Sequence, residues 1–372
     1  MRFAVDLLWV RPKKVGGTEF YIRNLLEGFR QLKDNFEIML ILARDNATTF
    51  EEYLADGRFK QIVCDVDSSN VGKRIIWQNM HLSRLLKREG IKVCFEPVYS
   101  KPIISAKEIK FITTIHDLQA LHYPEYQSKF KVQWLKFSWK QTLRSAYEII
   151  ATSNFVKEDI VERYKASIDN ILTINIPIDV NPTDVVEFEE IKNKFQVEPN
   201  NYYYTMSSME PHKNMETLFK VMGEVKKRGI DLPSKWLLSG INAKAKEEVL
   251  LMANENDIRG NIIITGYLEN NVRNTLSKYS RAFLFPSIFE GFGMPPVEAM
   301  AFGATVITTK KASLYEVTQG KANYIKNPYD VEEWVNALVN LKPSIEHIDM
   351  SLYEPKYIAE QYIKCFNAAY ES

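Results

Sequence analysis

With 372 residues, 45% of them apolar and 26% charged, the chain is long enough for two α/β domains with full cores and ordinary for a soluble globular protein. It has no apolar run long enough to span a bilayer; its first ten residues hold Asp6, lack a small-residue cleavage site after them, and read as a strand and not a secretory leader. Cys64, Cys94 and Cys365, without CxxC spacing, argue for a reducing cytosol and against disulfides or zinc, while the net charge of +1 divides unevenly, with 27 Lys+Arg against 21 Asp+Glu in residues 1–178 and 21 against 26 in the rest.

The first half alternates strand-like and helix-like patterns. Strand candidates fall at 3–9, 36–42, 61–64, 92–95, 111–115 and 148–152. Between them lie apolar faces at helical spacing: Ile22, Leu25, Leu26 and Phe29 in one helix, Ile76, Met80 and Leu86 in another. Alternation on this scale predicts a parallel sheet covered on both sides, with ligands at the carboxyl ends of its strands. The first βα connection carries Gly16 and Gly17 directly before a helix, which offers free amides to an anion. It is not the GxGxxG fingerprint of dinucleotide-binding enzymes. A basic tract, Arg-Pro-Lys-Lys at 11–14, precedes it. His116 follows the strand at 111–115 and stands at the ligand edge of such a sheet, with Asp117 next to it to cap or orient the loop.

Residues 129–147 form a long helical pattern with Lys136, Lys140 and Arg144 at four-residue spacing and Phe130, Trp134 and Phe137 as an aromatic side. Two readings stand: an apolar face packed on the sheet, or a membrane-surface helix whose basic face meets anionic lipid. Residues 171–182, apolar and then proline-broken, read as the interdomain link. The second half repeats the alternation, with strand candidates at 202–206, 236–238, 262–265, 282–285 and 305–308. After its first strand comes Ser-Ser-Met-Glu-Pro-His-Lys-Asn at 207–214, just before a helix. Lys213 there is a compact point charge suited to a diphosphate. Asp65 and Asp67 form an Asp-x-Asp without any supporting pattern and read as a polar turn. No HExxH, Walker loop or zinc spacing is present, so neither metal nor cofactor is expected, and no nucleic-acid partner.

The most informative stretch runs from 283 to 303. It reads as a buried strand, a glycine-broken loop and a helix. Gly291 and Gly293 allow a tight turn and close approach to a ligand, Pro295 and Pro296 suit the first helical turn, and Gly303 supplies the stop. A strand feeding a helix through such a loop aims N–H groups at an anion. Glu290 and Glu298 frame it, and ionised carboxylates accept hydrogen bonds from hydroxyls. A ligand with both phosphate and hydroxyl groups, such as a nucleotide sugar, satisfies both halves; an ordinary βα turn with two surface glutamates is the plainer alternative.

Glu-Gly-Phe-Gly-Met-Pro-Pro-Val-Glu-Ala-Met-Ala at 290–301 resembles the signature of the retaining nucleotide-sugar glycosyltransferases called family four, of the bacterial surface-polysaccharide type. The resemblance implies two facing Rossmann-like, doubly wound α/β domains (GT-B architecture) with a cleft between them: residues 1–178 on the acceptor side, 179–353 binding the nucleotide sugar, and a last helix at 354–372 packed back on the first domain. It implies that Glu290 holds donor-sugar hydroxyls, that Glu298 holds the ribose, and that Gly291, Phe292, Gly293, Met294 and Pro295 bind sugar and diphosphate. His116 then contacts sugar hydroxyls, Lys213 and His212 meet the donor phosphates, Gly16 and Gly17 border the diphosphate, and Tyr267 lines the base. Ser208 stands where many members have an Arg, so part of the phosphate charge must be met otherwise. The implied reaction moves a hexose, mannose or rhamnose first, from a nucleoside diphosphate sugar to a glycan or lipid-diphosphate-linked acceptor with retention. The implied place is the cytoplasm, with an anionic membrane surface as a possible partner. A nucleotide-sugar epimerase or phosphorylase on the same fold, or a degenerate sugar-nucleotide scaffold suggested by Ser208, are the alternatives.

Overall fold

The structure is a computed structural model that describes residues 1–11, 16–98, 101–181, 183–343 and 347–372. Lys13, Lys14 and Pro12 of the basic tract, and Pro182 of the link, lie outside the described residues. Two compact units divide the chain, residues 1–179 with 351–372, and residues 180–350.

The first unit is built on strands β1 (Arg2–Asp6), β2 (Glu37–Ala43), β3 (Phe59–Cys64), β4 (Val93–Glu96), β5 (Lys110–Ile115), β6 (Glu148–Ala151) and β7 (Ile171–Thr173). They form one sheet in the order β3-β2-β1-β4-β5-β6-β7, with parallel pairing throughout. β7 was not foreseen: part of the stretch expected to be a linker hydrogen-bonds alongside β6, because its run of β-branched residues is short but completes the sheet. The strand order reverses between β1 and β4, which is where open α/β sheets place ligands.

Helix Gly17–Gln31 buries Ile22, Leu25, Leu26 and Phe29, the face expected from spacing. The last helix, Pro355–Glu371, lies against it so closely that a Cβ on Gly28 would stand 2.1 Å from the carbonyl oxygen of Pro355. Phe366 from that helix joins Phe3, Phe29 and Phe95 in an aromatic core. On this helix Tyr357 is exposed while Ala359, Tyr362, Ile363 and Phe366 are buried.

Two helical faces depart from their spacing. Ile76 and Met80 are exposed and only Leu86 of that trio is buried. The helix runs as Val71–Trp77, then a π-helical turn Gln78–Leu82, then Ser83–Arg88, and the extra residue per turn in the middle shifts the phase of everything after it. In helix Lys129–Ser145 the core face is Val132, Trp139 and Thr142, whereas Phe130 and Phe137 of the expected aromatic side point to solvent. Asp65 and Asp67 both pair with Arg44 in an exposed turn. Among the described residues no group of three or more His, Cys, Asp or Glu side chains could hold a metal ion. No helix among them is long and apolar enough to cross a membrane.

The second unit has strands β8 (Tyr202–Met206), β9 (Lys235–Ser239), β10 (Ile262–Gly266), β11 (Ala282–Phe285), β12 (Val306–Thr309) and β13 (Asn323–Ile325). Their order is β10-β9-β8-β11-β12-β13, again parallel, and the reversal lies between β8 and β11. Its core packs Leu218, Phe219, Trp236, Leu284, Ile307 and Trp334 together. The loops that leave the carboxyl ends of β8 and β11 carry the sequence's two most informative motifs.

Candidate functional site

In the second unit the loops after β8 and β11 are tied to one another by backbone. The N–H of Ile288 donates to the carbonyl of His212 at 2.9 Å, and the Ser287 hydroxyl donates to the same carbonyl. Asn214, in the left-handed region at φ 51°, ends the short turn Pro211–Lys213 and starts helix Met215–Lys227. Its amide donates to the carbonyls of Pro286 and Pro328. A small amide residue tolerates this backbone, and its side chain clamps two loops at once.

This clamp brings Lys213 and Glu290 together. Lys213 Nζ lies 2.7 Å from Glu290 Oε1, and both side chains are mostly covered, at 21% and 12% exposure. A mostly covered ion pair at the switch point presents one cation for an anion and one acceptor for hydroxyls. Behind it, the Ser313 hydroxyl donates to the carbonyls of Glu290 and Phe292, at 2.9 and 2.7 Å, so the short stretch before helix Leu314–Val317 holds the glycine loop from below. Gly293 sits at φ 92°, where an L side chain is strained, and a Cβ there would stand 2.7 Å from Leu314 Cδ2. Helix Met294–Ala301 begins at once. Pro295 and Pro296 bring no N–H, so Met294 and Val297 supply the amides of its first turn. Gly291 and Phe292 are buried in the loop that precedes it.

Glu298 lies one turn further along, its carboxyl pushed up by burial, with Arg273 pulling it the other way. Arg273, on helix Asn270–Tyr279, reaches Met206 at the end of β8. Sequence reasoning missed it, because an Arg in a polar helix carries no motif. Ser208 is partly exposed just beyond Met206, and Tyr267 stands 91% exposed after β10, a flat ring open to a ligand.

The remaining candidates belong to the first unit. Gly16 has φ 60° and its carbonyl accepts the N–H groups of Glu19 and Phe20, so Gly16 and Gly17 form the helix entrance with no side chain in the way. His116 follows β5. Its Nε2 lies 2.8 Å from the carbonyl of Pro97. A carbonyl only accepts, so Nε2 carries the proton and Nδ1 of the neutral ring is an acceptor for a hydroxyl. The edge of Tyr21 meets the His116 ring at 4.7 Å between centroids. Tyr21, Thr114 and Tyr362 share a buried hydroxyl network, so the last helix supports the ring through Tyr21. Asp117 accepts the N–H of Gln119 and fixes the turn.

A second feature was not foreseen. Asp6 and Glu96 end β1 and β4 at the switch point of the first sheet, and burial raises both carboxyls; the charge of Asp6 holds Glu96 further up, while hydrogen bonds from Gln78 and the Leu8 N–H and the charge of Arg74 pull Asp6 the other way. Asp6 accepts from Gln78, the first residue of the π-helical turn, at 2.7 Å. Neither acid falls in a recognisable motif, and only the strand order places them side by side.

Burial pushes His116 down to about 4, and burial with the neighbouring Lys213 does the same to His212, also to about 4. The unfolded histidines bind a proton near pH 6.5. Between those values the unfolded chain holds more protons, so stability is full above about pH 6.5 and falls as pH drops towards 4. His212→Asn should flatten that part of a melting-temperature against pH curve; an unchanged slope would show that His212 does not contribute.

Residues 187–343 match the family model of glycosyl transferases group 1, and residues 15–181 that of Glycosyltransferase Family 4. O-antigen chain mannosyltransferase B of Escherichia coli is 28% identical over 223 residues, 59% of this chain and 58% of that protein. O-antigen chain mannosyltransferase RfbU of Salmonella typhimurium is 26% identical over 229 residues, 62% of this chain and 60% of that protein. The chain thus spans less than two thirds of the length of these relatives. Among solved structures, sucrose-phosphate synthase of Thermosynechococcus elongatus superposes with TM-score 0.75 at 15% identity, covering 100% of this chain and 99% of that one. HepE of Anabaena, solved with UDP and glucose, superposes with TM-score 0.73 at 14% identity, covering 99% and 100%. Two glycosyltransferase models that together take in most of the sequence, on two parallel-sheet units of the GT-B kind, place this chain in the glycosyltransferases.

Proposed function

We propose that the protein transfers a hexose, mannose or rhamnose first, from a nucleoside diphosphate sugar to a hydroxyl of a glycan or lipid-diphosphate-linked glycan, with retention at the anomeric carbon. The observation that carries this reading is the Lys213–Glu290 pair at the β8/β11 switch point, cation and carboxylate 2.7 Å apart beside a glycine loop. The departing diphosphate gathers negative charge. Lys213, the amides of Gly293 and Met294, and His212 meet it, while Glu290 and neutral His116 accept from sugar hydroxyls and fix the ring. Glu298 accepts from the ribose, Tyr267 stacks the base, and Gly16 and Gly17 approach the diphosphate. The name of the E. coli and Salmonella relatives favours mannose; the UDP and glucose bound by HepE keep uridine donors in the set. The place of work is the cytoplasm, at the inner face of a membrane that presents the acceptor.

The test is a thermal-shift screen with GDP, UDP and dTDP, followed by transfer assays with the matching sugars. One nucleotide should raise the melting temperature, and further with each tenfold rise in its concentration above Kd. No shift with any of the three would reject the reading. Binding without turnover across an acceptor panel would favour the scaffold alternative, and donor isomerised without acceptor would favour the epimerase.

A further inference from the structure

We infer that helix Lys129–Ser145 is an anionic-membrane docking surface whose outermost residues, Phe130 and Phe137, enter the bilayer interface. This deepens the membrane placement proposed above but needs no turnover to test. The helix advances 100° per residue, so residues seven apart fall within about 20° of each other. Val132 and Trp139 are one such pair and are buried, with Trp139 in the core beside Ile115 and Ala151. Phe130 and Phe137 are another pair, on the opposite side. They are 82% and 46% exposed. The aromatic pair therefore forms the crest of the helix, two turns or about 10 Å apart along its axis.

Charge points to the partner. The helix carries Lys129, Lys131, Lys136, Lys140 and Arg144 and no acidic residue. Lys136, Lys140 and Arg144 line the flank next to the two Phe rings, at four-residue spacing, and no carboxylate among the described residues pairs with them. An open groove of about 500 Å³ beside the helix is lined by Lys136, Lys140 and Arg163, of which Arg163 also holds Asp159. Its three cations give that groove the charge for an anionic headgroup. A crest of exposed aromatic rings flanked by unpaired cations matches a bilayer with anionic headgroups above an apolar interior. A second copy of the chain does not fit, because two such faces would set like charges against each other.

The experiment is cosedimentation of the full chain with vesicles of phosphatidylcholine alone, or of phosphatidylcholine and phosphatidylglycerol in equal parts, at low and high salt. Wild-type protein should bind the anionic vesicles at least tenfold more tightly than the neutral ones, and less tightly as salt rises. Phe130→Ser with Phe137→Ser should weaken that binding about tenfold with an unchanged melting temperature, since both rings are exposed. Lys136→Glu with Lys140→Glu should remove the salt-sensitive part. Phe130→Trp, in contrast, should keep binding and shift its emission to the blue when anionic vesicles are added. Failure of wild type to bind anionic vesicles at low salt, equal binding by the Phe130→Ser/Phe137→Ser protein, or no emission shift would each overturn the inference. So would binding to an acidic protein surface in place of vesicles.

Discussion

Glu290→Gln should lower kcat/KM for transfer by about a hundred- to a thousandfold, the scale seen when one preorganised polar contact to a reacting group is lost. The substitution keeps the shape and removes the charge. In the free site Glu290 is bound to Lys213 at 2.7 Å, so each neutralises the other and the loop is held ready. A donor exchanges those partners: the diphosphate takes Lys213, and a sugar hydroxyl donates to Glu290. Both exchanges replace one charge-assisted hydrogen bond by another, so the site reorganises little when it is filled. Two further variants separate the roles. Lys213→Ala should weaken binding of the nucleoside diphosphate itself, which Glu290→Gln should leave nearly unchanged because that ligand lacks the hexose. The double variant should lose less than the product of the single losses, since the two side chains act as a unit. Steady-state kinetics and calorimetric titration with the diphosphate read out both. Wild-type kcat/KM in Glu290→Gln would remove this carboxylate from the chemistry.

The alternation of strands and helices was legible because parallel strands buried on both faces are continuous apolar runs. The glycine loop was legible because its chemistry is concentrated within a dozen residues, 290–301. The departures have local physical causes. A π-helical turn at 78–82 leaves no mark in hydrophobic spacing, yet it breaks the phase between Ile76 and Leu86 and sets Gln78 against Asp6. β7 and β13 are three residues each, too short for a periodic signal. The orientation of helix Lys129–Ser145 was ambiguous because aromatic residues lie on both of its sides, Trp139 inward and Phe130 outward, and spacing ranks neither above the other. Contacts made by residues distant in the chain, such as Ser313 beneath Glu290 or Tyr362 on Tyr21, become visible only once the sheet order brings them together.

Gly28→Ala should destabilise the first unit by about 3 kcal/mol, against the usual gain of about 1 kcal/mol when Ala replaces Gly within a helix. The reason is the neighbour. The added Cβ would stand 2.1 Å from the Pro355 carbonyl oxygen and 2.9 Å from Ala359 Cβ, and a backbone carbonyl at a helix start does not swing aside as a side-chain tip would. Helix Pro355–Glu371 must then lift from helix Gly17–Gln31, which loosens Tyr362 and Phe366, both fully buried. Gly57→Ala is the control, because nothing lies within 4 Å of its added Cβ. The effect reaches the chemistry by one route. Tyr362 holds Tyr21 at 2.7 Å between hydroxyls, and the Tyr21 ring edge meets His116. A lifted helix therefore frees the His116 ring while the Lys213–Glu290 loops of the second unit are untouched. Calorimetry of Gly28→Ala should show a lowered melting temperature, and kinetics a fall in kcat with nucleoside diphosphate affinity preserved. A variant that melts like wild type would mean the two helices part at little cost, and Tyr362 would then have no part in holding His116.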